Sequence, residues 1–326
     1  MQILSSIKKN WLIIGIFVAV ICGYYFPEFA KIINKDRMFS TFLVIFLFFI
    51  QGFILQKEKV FSGIKNLKLH VTMLFFTFIF YPLYFFIFVN ILPLTDNEGV
   101  IAGLFILACL PTTIASCAVF TSLAGGNTSG VIFNTVISNT AGVFITPLLF
   151  SFMVTTAALV LPLSMLSEVL VGLVIRIIIP MALGMILRNF FIEFIDKNRK
   201  KFSTASSIAI LCILFLAFAE SSNYITSDLV ATLYPVFIFL AVSYFIISFI
   251  IYKTASLLGF PEEDIIASVF TGAQKTLAGA PLITLFFKDS PHMLGIVLIP
   301  LLFFHPWQLF SSTFIVKYFL RKKESG

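Results

Sequence analysis

The hydrophobic pattern of the chain consists of ten apolar stretches separated by short polar connections. Most of them have the length of about 17 to 25 residues that a helix needs to cross the hydrocarbon core of a bilayer. Their alternation with polar connections therefore predicts an all-helical membrane protein with ten transmembrane helices. The predicted helices cover about residues 11–31, 38–55, 70–92, 99–124, 128–153, 167–189, 203–220, 229–257, 263–287 and 292–320.

The composition agrees with a membrane protein and excludes an ordinary soluble one. The chain has 326 residues, of which 60% are apolar and 11% are charged, whereas a soluble domain carries about 25% charged residues. Because nearly every residue belongs to a spanning stretch or a short connection, we expect one transmembrane domain over residues 1–326, surrounded by the lipid bilayer. The first stretch lacks a clear small-residue cleavage site, so we expect it to be retained as a helix.

The positive charges predict the orientation of the helices. With the amino terminus in the cytoplasm, sixteen lysines and arginines fall on the inner side and four, Lys31, Lys35, Arg37 and Lys288, on the outer side. Cytoplasmic loops carry an excess of Lys and Arg, so both termini are predicted to be cytoplasmic. The net charge of +7 is then a topology signal and does not indicate a nucleic-acid partner. We expect a multi-pass protein of a bacterial inner membrane, as a monomer or a weak homo-oligomer.

Two of the predicted helices, the fourth and the ninth, contain residues that interrupt a helix. Pro111 lacks a backbone N–H and disfavours helical geometry at the residue before it, and Gly272, Gly279 and Pro281 weaken the ninth helix in a comparable way. Each interruption falls in the fourth helix of a five-helix half. A five-helix unit has an odd number of spans, so its second copy enters the membrane from the opposite side. The pattern predicts two inverted repeats, over about residues 11–153 and 167–320.

Uncharged oxygen donors surround both interruptions. Irregular backbone at membrane depth persists only where protein or a water-filled cavity covers it, and paired broken helices are a sequence indicator of a transport site. Hard cations such as sodium bind oxygen ligands of this kind. The alternative is that Pro and Gly merely kink two ordinary packed helices. The candidate residues for an ion or substrate site are Thr112, Thr113, Ser116 and Thr121 at the first interruption and Thr271, Gln274 and Thr276 at the second.

Lys275 lies near the centre of the predicted ninth helix, about 12 residues from either end. A lysine at such a position costs about 2.5 to 3.5 kcal/mol on insertion scales and usually faces the interior of the protein. Roughly 18 Å of helix on each side, at about 1.5 Å per residue, keeps its ammonium from reaching the interface. We expect Lys275 to mark the transport pathway, with a structural ion pair as the alternative.

Arg176 in the sixth helix and Glu220 at the outer end of the seventh helix are further candidate cavity charges. Arg176 either lines the cavity or is tethered to Glu168 or Glu220. Glu220 is either an interfacial carboxylate or the partner of a cation in the cavity. Two buried cations, Lys275 and Arg176, against one candidate anion favour an anionic small-molecule substrate. The sequence contains no nucleophile, base or metal-ligand constellation that would indicate an enzyme.

Four segments carry a pattern that is shared with a known family. They read "LHVTMLFFTFIFYP" (Leu69–Pro82), "LPTTIASCAVFTSLAGGN" (Leu110–Asn127), "ITPLL" (Ile145–Leu149) and "GAQKTLAGAPL" (Gly272–Leu282). The pattern resembles the bile acid:sodium symporter family, and more closely its branch of sodium-dependent transporters of unknown substrate. The resemblance covers essentially the whole chain. It implies ten helices in two inverted five-helix repeats, with the fourth and ninth helices unwound and crossing, and with panel and core subdomains that move relative to each other.

The same resemblance implies a partial set of sodium ligands. The family glutamine falls on Gln274, and a threonine ligand of the fifth helix falls on Thr135. The family Ser-Asn pair near the first crossover is matched by Ser116 and Cys117, with an ambiguity of one residue. The third-helix glutamine falls on Thr77.

Three positions depart from the family pattern. The glutamate shared by both sodium sites falls on Phe270, the asparagine after the glutamine falls on Lys275, and a fifth-helix serine falls on Val131. Losing the carboxylate removes the negative charge that would offset a bound sodium. An ammonium nearby repels a cation by about 4 kcal/mol at roughly 4 Å when the effective dielectric constant is about 20.

These observations predict a secondary-active transporter of a small organic anion, coupled to a cation. The coupling ion is either sodium, the one cofactor that the resemblance implies, or a proton through Lys275, whose ammonium would replace a bound ion. If Lys275 replaces the ion, exchange of substrates without a coupling ion is a further alternative. The first alternative is a non-transporting membrane regulator or scaffold that retains the transporter fold. A permeable channel is the second, although an inverted repeat with paired broken helices favours alternating access.

Overall fold

The computed structural model describes residues 2–54, 66–156, 171–172, 174–279, 286–287 and 290–325, and these residues form helices and their connections without a strand. Long apolar segments produce most of these helices, and prolines, glycines and short polar runs end them. The α-helices, in chain order, are α1 (Gln2–Tyr25), α2 (Pro27–Ile33), α3 (Met38–Ile54), α4 (Leu67–Phe75), α5 (Tyr81–Ile91), α6 (Glu98–Cys109), α7 (Ala115–Leu123), α8 (Thr128–Thr156), α9 (Ile179–Arg188), α10 (Ile192–Ser221), α11 (Ser227–Thr232), α12 (Tyr234–Leu257), α13 (Glu262–Ala273) and α14 (Leu294–Ser325).

Shorter helical turns join some of these elements. A π-helical turn at Phe76–Phe80 connects α4 to α5, and another at Val174–Ile178 leads into α9. The remaining turns are of the 3₁₀ type, at Lys35–Arg37, Ser222–Tyr224, Leu277–Gly279 and Pro291–Met293.

Within the described residues, six helical segments are long and apolar enough to cross a membrane, and a bent pair raises the number to seven. The count of ten helices and the inverted repeat stay predictions. The predicted sixth and ninth helices lie partly outside the described residues. Glu168 and Pro281 lie outside them altogether. The fourth predicted helix is divided into α6 and α7, each of which is too short to span alone.

The prediction of one continuous first helix over residues 11–31 is wrong. The segments Ile14–Tyr25 and Pro27–Ile33 are bent by 95°. Pro27 is the cause, because it lacks a backbone N–H and disfavours helical geometry at Phe26, which has φ −121° and ψ 50°.

The predicted seventh helix begins earlier than the hydrophobic pattern indicates. The prediction placed its start at residue 203, whereas α10 begins at Ile192 and includes the basic run from Lys197 to Lys201. Lysine and arginine are good helix formers, so a charged run can extend an apolar helix into the polar region.

The helices group into two compact units. The first unit comprises Met1–Leu55, Pro162–Ser227 and Ala280–Ile299, and the second comprises Gln56–Leu161, Asp228–Gly279 and Pro300–Gly326.

Glycines bring α3 and α9 close together in the first unit. A Cβ at Gly52 would lie 2.0 Å from the Met181 carbonyl oxygen, and one at Gly184 would lie 2.3 Å from the Phe49 carbonyl oxygen. Small residues permit this approach of two helix backbones, which is common between membrane helices. At the end of α9 the Arg188 side chain is buried and pairs with Asp196 at 3.1 Å.

A buried carboxylate joins three helix starts in the second unit. The Asn66 and Asn127 side chains cap α4 and α8, accepting from the N–H groups of Leu69 and Gly130. The amide nitrogens of both asparagines donate to the carboxylate of Asp264 in the first turn of α13, each at 2.7 Å. The polar network therefore fixes the start of α13 against α4 and α8.

The close approach of α3 and α9 gives a first prediction. Gly184→Ala places a methyl group against backbone atoms of α3, which cannot move independently of their helix, and overpacking of this kind costs about 1 to 3 kcal/mol. The thermal unfolding midpoint of the purified protein in detergent should fall by several degrees. Gly172→Ala is the matched control, since a Cβ there meets no atom of the described residues within 4 Å, and an equal fall in both variants would contradict the packing argument.

Candidate binding site at two broken helices

The first break lies between α6 and α7, where the sequence analysis predicts it. Leu110 has an extended backbone with φ −64° and ψ 148°, as expected before Pro111. Side chains of α8 satisfy the backbone that the break leaves open: Thr146 Oγ1 donates to the Cys109 carbonyl at 2.7 Å, and Asn139 Nδ2 donates to the Thr112 carbonyl at 2.9 Å. Side chains of α8 therefore provide hydrogen-bond partners for backbone carbonyls at the break.

The second break begins where α13 ends, at Ala273. Gln274 is extended, with φ −90° and ψ 146°, and the chain continues into the 3₁₀ turn at Leu277–Gly279. Gln308 on α14 binds both backbone groups of Lys275. Its Oε1 accepts from the Lys275 N–H at 2.8 Å, and its Nε2 donates to the Lys275 carbonyl at 2.8 Å. The side-chain amide of Gln308 thus replaces the helical partners that the N–H and the carbonyl of Lys275 have lost.

The two breaks cross each other within the second unit. The Thr276 N–H donates to the Pro111 carbonyl at 2.9 Å, which is a direct backbone contact between them. A Cβ at Gly279 would lie 2.0 Å from a methyl carbon of Leu110, so a larger residue at position 279 would require the Leu110 side chain to move. We refer to Leu110–Ile114 and Gln274–Gly279 together as the crossover.

The Lys275 ammonium lies inside the crossover and is fully buried. Its Nζ donates to three backbone carbonyl oxygens, those of Thr77 at 2.8 Å, Ala108 at 2.7 Å and Leu110 at 2.9 Å. It also lies 4.2 Å from the centroid of the Tyr81 ring, within the range of a cation–π interaction. An ammonium has three N–H donors, so this arrangement satisfies all of them.

Local sequence explains why these three carbonyls are available. Ala108 and Leu110 lie at the carboxyl end of α6, where the last carbonyls of a helix lack intrahelical donors and carry a partial negative charge. The Thr77 carbonyl is released by the π-helical turn, because the Tyr81 N–H donates to Phe76 instead. Its next donor along the chain would be Pro82, which has no N–H. The carboxyl end of α6 and the π-helical turn therefore present carbonyl oxygens to the Lys275 ammonium.

Gln274 is the centre of a second polar cluster in the crossover. Its Oε1 accepts from Ser116 Oγ at 2.6 Å and from Thr113 Oγ1 at 3.1 Å, and Cys117 Sγ lies at 3.3 Å. Its Nε2 donates to Ser312 Oγ on α14 at 2.9 Å. The cluster joins the start of α7 to the end of α13.

The structure brings six predicted residues together: Thr112, Thr113, Ser116, Cys117, Gln274 and Lys275. Thr112 Oγ1 lies 3.2 Å from Cys117 Sγ. Thr276 takes part through its backbone N–H.

Other predicted ligands have their hydroxyls directed elsewhere. Thr77 Oγ1 donates to Met73 and Thr135 Oγ1 donates to Ile132, both within their own helices. At Thr77 the backbone carbonyl rather than the hydroxyl contacts the crossover, where it accepts from Lys275 Nζ. The buried hydroxyls of Thr121 and Thr271 have no hydrogen-bond partner among the residues that the structure describes.

The two candidate cavity charges belong to the first unit. Glu220 accepts from Asn34 Nδ2 at 3.2 Å and pairs with Arg37 at 3.4 Å. Arg176 lies half-buried in the π-helical turn before α9. Arg37 is therefore a cation that pairs with Glu220. The proposed tether of Arg176 to Glu168 involves a residue outside the described ones.

Phe270 fills the position that the resemblance assigns to the family glutamate. Its side chain is fully buried and its ring stacks on Phe120 with the centroids 5.9 Å apart. Only its carbonyl takes part in the polar network, accepting from Cys117 Sγ at 3.2 Å. A hydrocarbon ring therefore stands at this position in place of a carboxylate.

Sequence reasoning missed the residues that hold the crossover from outside it. They are Tyr81, Asn139, Gln308 and Ser312, together with Ser138, whose Oγ accepts from the Thr112 N–H at 3.4 Å. Gln308 gave a usable signal, because an uncharged amide in the middle of an apolar helix requires a polar partner. Ser138 and Asn139 gave none that distinguishes them from other small polar residues on α8.

The fold and the crossover define a helical membrane protein with two broken, crossing helices. The model of the SBF-like CPA transporter family matches residues 10–321, and the chain belongs to this family. This confirms the family resemblance identified from the sequence. The chain is therefore an integral multi-pass membrane protein of a transporter family.

Individual relatives cover almost the full chain. Sodium/bile acid cotransporter 7-B of Xenopus laevis is 28% identical in an alignment 325 residues long that covers 97% of this chain and 93% of the frog protein. Sodium/bile acid cotransporter 7 of Rattus norvegicus is 27% identical, covering 97% of this chain and 94% of the rat protein. The YfeH protein of Escherichia coli (strain K12) is 25% identical, covering 95% of this chain and 92% of the bacterial protein.

The bidentate contact of Gln308 gives a second prediction. Gln308→Leu leaves the buried N–H and carbonyl of Lys275 without partners, and each lost partner costs about 1 to 3 kcal/mol. The thermal unfolding midpoint should fall by several degrees more than in Gln51→Leu, the same change at a half-buried glutamine on α3. Equal midpoints for the two variants would show that the crossover does not depend on Gln308.

Proposed function

We propose that the protein is a secondary-active transporter of a small organic anion in which the Lys275 ammonium takes the place of a bound coupling cation. Transport is then coupled to a proton carried by Lys275. The rest of the proposed architecture is that of the sequence analysis: one membrane domain of ten helices in two inverted repeats, with both termini in the cytoplasm of a bacterium.

The three carbonyl contacts of Lys275 carry this proposal. Backbone carbonyl oxygens are ligands that sodium ions also use, particularly where helices are unwound at membrane depth. Here the contacts of 2.7 to 2.9 Å go to the ammonium. A sodium ion that approached these oxygens would meet a positive charge in a site of low polarity, where repulsion is strong.

Proton transfer at Lys275 would change how the crossover is held. A neutral amine has two N–H donors and a lone pair, so one of the three carbonyls would lose its partner and the attraction to Tyr81 would weaken. A buried group without its partner costs about 1 to 3 kcal/mol. The protonated and neutral forms would therefore favour different conformations, as coupling requires.

The charge distribution supports an anionic substrate. The described residues place no carboxylate in ion-pair contact with Lys275. Ile114, which precedes α7, and Ala115, its first residue, are exposed beside the half-buried Ser116. A helix amino terminus presents free N–H groups and a partial positive charge, which favour an anion.

Sodium coupling is the second candidate. The names of the frog and rat relatives, sodium/bile acid cotransporters, support it, as do the oxygens of Thr113, Ser116 and Gln274 that converge in the crossover. Membership in a transporter family does not favour a non-transporting scaffold or an enzyme.

Uptake into proteoliposomes tests the proposal. A panel of labelled small organic anions that includes a bile acid is offered to wild type, Lys275→Met and Lys317→Met, with an inward proton gradient or an inward sodium gradient. We expect the proton gradient to accelerate uptake in wild type and in Lys317→Met, whose lysine is exposed on α14. Lys275→Met should lose the acceleration, because it keeps the volume and removes the proton carrier.

Two results would contradict the proposal. Acceleration of wild-type uptake by sodium alone would assign the coupling to a sodium site. Absence of uptake for every anion under both gradients would argue against an organic-anion transporter.

A further inference from the structure

A groove on the side of the second unit has no role in the proposed transport. It is a cavity of about 440 Å³ formed by α12, α13 and α14. Its floor is buried, with Val269 2% and Phe319 1% exposed, whereas its walls are open, with Phe249 59% and Phe314 49% exposed. The groove is therefore concave and accessible from outside the helices that form it.

The lining changes from apolar to basic along the groove. Phe245, Phe249 and Phe314 form the apolar part, and Tyr252 and Lys253 lie toward the end of α12. Phe245 and Lys253 are eight residues apart in one helix, or roughly 12 Å at about 1.5 Å per residue. Tyrosine and lysine at the end of a membrane helix mark the interface with water, so the apolar part extends into the hydrocarbon region.

Lys253 is the cation at the mouth of the groove. Its side chain is exposed and its Nζ lies 5.5 Å from the centroid of the Phe249 ring. Among the described residues no carboxylate forms an ion pair with it. The second lysine near this end, Lys322, lies 5.6 Å from the Tyr252 ring centroid and pairs with Glu262 at 3.5 Å. Lys253 is thus the ammonium that remains available to a ligand.

We propose that this groove binds one anionic phospholipid, with its phosphate at Lys253 and an acyl chain along Phe249 and Phe314. The two chemical requirements come from the two ends of the groove. An open apolar channel on membrane helices fits a hydrocarbon chain, and an ammonium at interface depth binds a phosphate as a point charge. A zwitterionic lipid would bring its own cation to Lys253, so a net negative headgroup is favoured.

Binding of defined lipids to the purified full chain tests the assignment. Phosphatidylglycerol or phosphatidylcholine is added to the protein in detergent, and inorganic phosphate is added separately. Thermal unfolding and native mass spectrometry then report stabilisation and the number of bound lipids. A ligand that binds only the folded state must raise the unfolding midpoint. For wild type we expect phosphatidylglycerol to raise it by several degrees more than phosphatidylcholine, with one retained lipid, and phosphate alone to have no effect.

Three variants locate the site. Lys253→Ala should lose the preference for phosphatidylglycerol, and Lys317→Ala, which removes an exposed lysine of α14 that does not line the groove, should keep it. Ile315→Trp, at a half-buried lining position, should fill the groove and lower the retention of both lipids.

Four outcomes would overturn the proposal. Equal stabilisation of wild type by both lipids would remove the role of the headgroup charge, and an equal effect of inorganic phosphate would remove the role of the chain. Retention of the preference in Lys253→Ala, or its equal loss in Lys317→Ala, would place the lipid elsewhere.

Discussion

The structure of the second unit depends on one requirement, that backbone polar groups at membrane depth must find hydrogen-bond partners inside the protein. A broken helix leaves such groups without their helical partners, and lipid chains cannot form the hydrogen bonds that water would form with them. At the crossover each break supplies partners to the other: the Thr276 N–H binds the Pro111 carbonyl, and the Lys275 ammonium binds carbonyls at the end of α6. Gln308 satisfies the remaining peptide groups of Lys275. The two breaks are therefore stable as a pair.

The charge of Lys275 is what distinguishes this crossover from an ordinary packed pair of kinked helices. A buried ammonium without a carboxylate is costly unless other negative potential surrounds it. Here that potential comes from three carbonyl dipoles, the carboxyl end of α6 and the face of the Tyr81 ring. Phe270, at the position that the resemblance assigns to the family glutamate, contributes packing but no charge. The cation of the site is thus part of the chain itself, which is the basis of the proposed proton coupling.

The sequence predicted those features that a single residue determines locally. Pro111 and the glycines of "GAQKTLAGAPL" located both breaks, and the central position of Lys275 indicated that its side chain is enclosed. Apolar length alone did not predict the bend at Pro27, because both flanking segments are hydrophobic. It also placed the start of α10 too late, because a basic run reads as a connection even when it continues a helix.

Side-chain roles at the site were less predictable, because they depend on contacts between distant segments. Thr77 and Thr135 carry suitable oxygens, but their hydroxyls bond within their own helices. The Thr77 carbonyl became an acceptor for Lys275 through a π-helical turn. Pro82 removes one donor to this carbonyl, but that residue alone indicates neither the turn nor its distant partner. The support from Gln308 on α14 joins positions that are 33 residues apart, and no pattern in the sequence indicates that pairing.

The replacement of a bound cation by Lys275 is tested most directly by ion-dependent thermal stability. Wild type and Lys275→Ala are unfolded in sodium chloride, potassium chloride and ethylammonium chloride at equal ionic strength, since a ligand of the folded state must raise the midpoint. If Lys275 replaces the cation, wild type should have equal midpoints in sodium and potassium. Lys275→Ala should then have a higher midpoint in ethylammonium than in potassium, because a primary ammonium can re-enter the three-carbonyl site. Selective stabilisation of wild type by sodium, with no effect of ethylammonium on the variant, would show that Lys275 does not replace a cation.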